Sequence, residues 1–379
     1  MTAPLDLPFD TDEMLDGLRP WIETESPTFD AAAVNRMMDL VQHEMAALGA
    51  RVERIPGRMG LGDSVRATMP HPRAGEGGIL LLGHMDTVHP LGTLKTLPFK
   101  REGAICTGPG LMDMKGGNYV YLDALRKLLA AGIDTSLPVT VLFTPDEEIG
   151  TPSTRALIEA EAKRHRFILV PEPARPDGGA VIGRYAIARF NLQTRGRPSH
   201  AGWALADGRS AIAEMARHVA IIEGMTTEDC TFSLGVIHAG QWVNCVSSVC
   251  DAEVLSMAKT QELLDEGVEK MLALNDDSGD VIMEVRRGVT RPVWEPDQPG
   301  TMAMLDLAND IAGEIGFQMT GQSAGGGSDG NFTGFLGLPT LDSIGVRGKG
   351  LHTLTEHIEV DSLVERARLA AGLFTRLGT

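Results

Sequence analysis

Apolar residues fall into distinct patterns along the chain. Near the start they recur every three or four positions: Met14, Leu15, Leu18, Trp21 and Ile22 within residues 11–23, then Val34, Met37, Met38, Val41, Met45 and Leu48 within 31–48. That spacing lines up one face of a helix, so two amphipathic helices are predicted, with a kink at Pro20 and a stop at Gly49. An unbroken aliphatic run follows at 79–82, and largely apolar runs at 138–144 and 167–170. Runs of this kind, cut off by Gly, Pro or an acidic residue, predict strands buried on both faces of a parallel sheet. Shorter strands are predicted at 51–55 and 64–68. Helices are predicted at 117–129 and 151–162, the second with Thr151 and Ser153 as caps.

The rhythm changes near residue 185. Residues 185–194 alternate apolar and polar, as a half-buried antiparallel strand does. A helix (210–222), two strands (231–237 and 252–258), a helix (261–274) and a strand (281–286) are predicted next. After Arg291-Pro292 come a helix at 301–315, a strand at 339–343 and a closing helix at 360–377. The expected fold is α/β. A discontinuous domain, residues 1–182 and 292–379, carries a mixed, mainly parallel sheet flanked by helices, and a separate α+β domain is inserted at 183–291. A chain of 379 residues is long enough for two domains.

Charge narrows the function. Asp and Glu number 51 against 34 Lys and Arg, a formal charge of -17. Nucleic acid and anionic membranes both demand a basic face, so neither is an expected partner. A small-molecule substrate is. Cys106, Cys230, Cys245 and Cys250 are scattered without a CxxC pair and are expected to be reduced thiols. The first residues carry no export-type pattern, and no run reaches the ~18 apolar residues a membrane helix needs. A cytoplasmic location is expected.

The chemistry sits where the buried runs end. Each is followed at once by imidazole or carboxylate: His84 and Asp86, Glu147 and Glu148, then Glu172. Asp113 lies in the Gly-rich stretch 108–117, and His352 lies near the end of the chain. Ligands of open α/β sheets gather at the carboxyl ends of the strands. Imidazole and carboxylate together favour zinc and also admit manganese or cobalt. Two ions held side by side need a shared carboxylate and further ligands for each. His84, Asp113, Glu148, Glu172 and His352 meet that count, with Asp113 bridging. Asp86, two residues beyond His84 on the same strand face, suits a carboxylate that orients the imidazole. Of Glu147 and Glu148, one can ligate while the other serves as general base. Taken singly, a Glu-Glu pair or a His-x-Asp is an ordinary surface feature. Directly after a buried strand, where unpaired charge is costly, it is not.

The stretches GHMDTVHP, GPGLMDMKGG, PDEEIGTPSTR, VPEPA, RPSHAG, GGGSDGNF and LHTLTEHI form one set. Together they resemble the dinuclear zinc metallopeptidase and deacylase family of carboxypeptidase G (glutamate carboxypeptidase), succinyl-diaminopimelate desuccinylase, acetylornithine deacetylase and aminoacylase. The resemblance runs from about residue 10 to the C-terminus and is strongest to the glutamate carboxypeptidase branch. It implies a zinc-exopeptidase type of catalytic domain and a lid and dimerisation domain at 183–291. It pairs His84 with Glu172 on one ion and Glu148 with His352 on the other, bridges them with Asp113, and makes Glu147 the general base and Asp86 the support of His84. It also implies a cis peptide at Asp113–Met114.

By the same resemblance, His200 helps stabilise the oxyanion across a homodimer, and Asn244 and Arg291 hold a substrate carboxylate. Lys259 stands where the family carries a carboxylate-binding arginine, and a lysine loses the bidentate grip. Trp242 replaces a smaller residue. The expected activity is hydrolysis of an amide bond in a small carboxylate-bearing substrate, an N-acyl amino acid or peptide-like molecule, by a metal-bridging water. The alternative is hydrolysis of a non-peptide C–N bond of an N-acyl or aromatic amine substrate, which Lys259 and Trp242 motivate. A binding protein without catalysis would show damage at the metal or base positions, and there is none.

Overall fold

The computed structural model describes residues 3–379. In chain order the elements are α1 (Thr11–Glu23), α2 (Ala31–Ala47), β1 (Arg51–Ile55), β2 (Ser64–Thr68), β3 (Ile79–His84), β4 (Lys100–Glu102), β5 (Ile105–Thr107), α3 (Gly116–Ala130), β6 (Val139–Thr144), α4 (Arg155–Ala162), β7 (Phe167–Val170) and β8 (Ala180–Arg184). Next come β9 (Ala186–Arg195), α5 (Ala211–Glu223), β10 (Cys230–Ala239), β11 (Val249–Ala258), α6 (Gln261–Leu272) and β12 (Ile282–Arg291). The chain closes with α7 (Pro299–Ile315), β13 (Gly321–Ala324), α8 (Gly330–Phe335), β14 (Thr340–Asp342), β15 (Gly348–Lys349), β16 (His357–Glu359) and α9 (Asp361–Arg376). Contacts divide the chain into two compact units. One runs to Gly183 and resumes at Glu295–Ala324 and Ser328–Thr379; the other is Arg184–Trp294 with Gly325–Gly327.

In the first unit eight strands form one sheet, ordered β1-β2-β6-β3-β7-β14-β8-β13. Its centre is parallel: β3 pairs with β6 and β7, and β14 with β7. Side chains alternate across a strand, so a central strand must be apolar on both faces. Ile79 and Leu81 of β3 join one core with α1, α2, α3, α7 and α9, while Leu80 and Leu82 join another with α4 and α8. That is why β3 is an unbroken aliphatic run. A second, four-stranded sheet, β15-β16-β5-β4, ties residues 105–107 to residues 357–359.

The other unit is an antiparallel sheet ordered β10-β11-β9-β12. Ala188, Phe190 and Leu192 of β9 pack with Met215 of α5 and with Leu264 and Met271 of α6. The outward residues of β9 between them, Arg189 and Asn191, are exposed.

One local expectation is corrected. The helix expected at 151–162 begins at Arg155, and neither Thr151 nor Ser153 caps it. The Thr151 hydroxyl donates to Asp329 Oδ1 at 2.6 Å, and the Ser153 amide and hydroxyl donate to Asp146 Oδ2 at 2.7 and 2.8 Å. Both pin the loop after β6 instead. Pro20 lies inside α1, which runs to Glu23 as expected.

The start of α3 lies against the chain that follows β7. A Cβ on Gly117 would stand 1.9 Å from the Pro171 carbonyl oxygen. Two backbones meet there, and neither has a flexible end to yield. Gly117→Ala is expected to lower unfolding stability by about 3 kcal/mol, measured by urea denaturation, because overpacking of a closed contact forces backbone shifts. Wild-type stability would show that the two segments can separate freely.

Candidate metal centre

The parallel strands β3, β6 and β7 deliver their carboxyl ends to one edge of the sheet. His84 is the last residue of β3 and is 1% exposed. Its Nδ1 lies 3.0 Å from the Asp86 carbonyl oxygen and 3.4 Å from Asp86 Oδ1. Both neighbours are acceptors, so Nδ1 is held as a donor and Nε2 is the nitrogen turned toward Asp113. Asp86 is fully buried, and its carboxylate accepts the Thr28 hydroxyl at 2.7 Å. It also accepts the amides of Glu147 and Glu148, each at 3.2 Å. Asp86 thus orients the imidazole and fixes the acidic turn after β6 in one stroke.

Asp113 lies between two clusters. Its Oδ1 is 3.3 Å from His84 Nε2, which is 3.8 Å from Glu172 Oε1. Its Oδ2 is 3.2 Å from His352 Nε2, which is 3.3 Å from Glu148 Oε2. His84, Asp113 and Glu172 form one group of potential ligands, and Asp113, Glu148 and His352 the other, with the atoms in each within 4.8 Å of one another. Ligands about 2.0–2.2 Å from one ion stand roughly 3.3–3.5 Å apart on a tetrahedron, so these spacings fit a metal at each group. Glu148 Oε1 is buried and without a hydrogen-bond partner among the described residues, an orphan that a cation would satisfy. The Asp113–Met114 peptide is cis. His352 has a φ of 59°, in the left-handed region, and about half of its side chain is exposed. Glu147 is 8% exposed, with Oε2 4.0 Å from His84 Nε2.

The structure therefore brings together His84, Asp86, Asp113, Glu147, Glu148, Glu172 and His352. The remaining predicted site residues belong to the other unit. His200 Nδ1 accepts the amides of Gly202 and Trp203 at 3.1 and 3.2 Å, which leaves Nε2 as a donor. Asn244 is exposed on the loop before β11, with its carbonyl accepting the Ala201 amide at 2.9 Å. Arg291 ends β12 and is 4% exposed. Lys259 follows β11 and pairs with Asp229 at 2.6 Å. Sequence reasoning missed Thr28, His89 and Glu356. The last two stand inside the quoted stretches, but nothing in a linear sequence pairs them.

Comparison with known proteins places these residues in context. The family described as Peptidase family M20/M25/M40 matches residues 80–376. Carboxypeptidase G2 of Pseudomonas sp. (strain RS-16) is 30% identical over 392 residues, spanning 97% of this chain and 91% of that protein. Succinyl-diaminopimelate desuccinylase of Thioalkalivibrio sulfidiphilus (strain HL-EbGR7) is 26% identical over 325 residues, spanning 80% and 85%. The M20 family metallo-carboxypeptidase of Sulfolobus solfataricus has the same fold, with a TM-score of 0.77 at 15% identity over 96% of this chain and 98% of that one.

The surroundings favour protons on most of the candidate ligands. Burial and the Asp113 charge push Glu148 up to about 8, and they hold Glu172 well above the carboxylate range. Hydrogen bonds to Asp113 and Glu148 lift His352 to about 10. Burial pushes His84 down, but the carboxylates of Asp113 and Asp86 outweigh it and hold the imidazole well above its ordinary value. Asp113 stays ionised: burial is outweighed by its hydrogen bonds to His352 and His84. A metal held by Glu148 and His352 would have to displace their protons, so its affinity should climb as pH rises from 6 to 9, with protons released on binding. Calorimetric titration in buffers of different ionisation enthalpy measures both; affinity independent of pH would contradict these ligands.

Proposed function

The chain belongs to peptidase family M20/M25/M40 and is a metal-dependent amide hydrolase, and on that premise we propose a dinuclear centre in which Asp113 bridges two ions and Glu147 is the general base. The observation that carries this reading is the division of Asp113, one oxygen to His84 and the other to His352. His84 and Glu172 hold one ion, Glu148 and His352 the other. His and carboxylate ligands favour zinc over manganese or cobalt. Bound there, the ions supply Lewis-acid polarisation of the scissile carbonyl and acidify the attacking water.

The chain's own residues do the rest. Glu147 takes the proton of the attacking water on its carboxylate and passes it to the leaving nitrogen, so that one group acts first as base and then as acid. Its neighbour Glu148 is committed to metal, and Asp86 fixes the turn that separates the two roles. His200, with Nδ1 already occupied as an acceptor, offers Nε2–H to the developing oxyanion. Arg291 and Asn244 bind a substrate carboxylate, with Lys259 as a weaker third contact.

The proposed substrate is a small N-acyl amino acid or peptide-like molecule, cleaved in the manner of a glutamate carboxypeptidase. Lys259 already has Asp229 as its partner, which favours a second reading in which an amide without an α-carboxylate is cleaved. Trp242, 72% exposed, would then meet an aromatic group. A homodimer through the second unit is proposed as well. Among the described residues β10 is an edge strand, and Val236 and Ile237 on it and Ile221 on α5 are exposed. Among the described residues no helix is long and apolar enough to cross a membrane, and all four cysteines are free. Free thiols support a reducing, cytoplasmic compartment.

Glu147→Gln is expected to keep its metal content and lose about 10²–10⁴-fold in kcat. Turnover near wild type would exclude Glu147 as the base. A panel of N-acyl-glutamates and dipeptides beside aromatic amides separates the two substrate readings. Cleavage of the aromatic amides alone would sink the first.

A further inference from the structure

Glu356 is a carboxylate buried to 1% exposure that ligates nothing in either group. Four donors converge on it. Oε1 accepts the amides of Met112 and Asp113 at 2.8 and 3.1 Å, and Oε2 accepts the Gly110 amide at 3.0 Å and lies 2.6 Å from His89 Nε2. Consecutive backbone amides turned toward one anion make a strong, directional cradle, and the imidazole supplies a further polar contact at the same oxygen. Such a cradle sets the backbone of the loop that presents Asp113.

Glu356 also belongs to the segment that presents His352. Its amide donates to the Thr353 carbonyl at 3.3 Å, and the Thr353 amide donates to Gly350 at 3.1 Å, closing the turn that holds His352. Immediately after it, His357 and Ile358 of β16 pair with Thr107 and Cys106 of β5. The two loops are therefore joined twice, by a short ladder and by one carboxylate. No side chain fits at Gly350 in this turn: its φ is +81°, and a Cβ there would stand 2.5 Å from the Thr355 carbonyl oxygen.

We infer that Glu356, steadied by His89, is a positioning residue that locks the Asp113 loop to the His352 loop. The half-site of Asp113, Glu148 and His352 depends on this lock at two of its three ligands. The half-site of His84, Asp113 and Glu172 depends on it at one. This inference rests on the dinuclear reading given above. It implies that the two ions are unequally sensitive to a residue that touches neither.

The test is a zinc titration of the metal-free full-length chain by calorimetry, with a chromophoric chelator as competitor. Wild type is expected to bind two ions. In Glu356→Ala the second ion should bind about 10–100-fold more weakly, the range for loss of a group that orients metal ligands, with a smaller change in the first. Glu356→Gln keeps one acceptor oxygen and should fall between the two, as should His89→Gln. Circular dichroism and thermal melts of the metal-free proteins establish that each variant is folded. If Glu356→Ala does not fold, Glu356→Gln decides, by the same selective weakening or by its absence. Two ions bound by the variants as in wild type, or weakened in equal measure, would overturn the inference. Fewer than two ions on the wild-type chain would instead overturn the dinuclear reading, and this inference with it.

Discussion

The carboxylate of Asp113 faces two imidazoles at once, at 3.3 and 3.2 Å, and the loops around it are arranged to keep it there. Five carboxylates, those of Asp86, Asp113, Glu147, Glu148 and Glu172, crowd against His84 and His352 at the edge of one sheet. Charges of one sign cannot be taken from water in such numbers without compensation. In the metal-free chain protons supply part of it, on Glu148 and on the imidazoles. Bound metal would supply the rest, and Glu148 Oε1, without a partner among the described residues, marks one place for a cation. The site is thus built to be unsatisfied by the polypeptide alone.

Holding that arrangement falls to residues outside the two candidate ligand groups. Asp86 serves the His84 imidazole and the Glu147–Glu148 amides together, so the first candidate ligand and the acidic turn are tied to each other. Asp329 accepts the hydroxyls of Thr144 and Thr151 at 3.2 and 2.6 Å, anchoring both ends of the turn that carries the two glutamates. The close contact of Gly117 with Pro171 brings the start of α3 against the chain that presents Glu172. Each of these contacts converts sheet geometry, which is rigid, into loop geometry, which otherwise is not.

The central strands were legible because burial on both faces leaves only aliphatic residues, as in residues 79–82. The helices were legible from their stripes, such as Met14, Leu18 and Trp21. The small sheet of β4, β5, β15 and β16 escaped notice for a physical reason: strands of two or three residues are too short to show a period. Thr151 and Ser153 look like caps in sequence because a hydroxyl near a helix start can bond an amide. Here Asp329 and Asp146 claim those hydroxyls, and Asp329 is 178 residues from Thr151. Candidate ligands could be listed because buried strands ended in them. The pairing of His89 with Glu356, 267 residues apart, follows from the fold and left no trace in local spacing.

Anomalous diffraction from crystals loaded with zinc addresses the shared carboxylate most directly. Two peaks about 3.5–4 Å apart are expected, one against each oxygen of Asp113. A single peak, or a pair in which Asp113 contacts only one ion, would contradict a centre bridged by this residue.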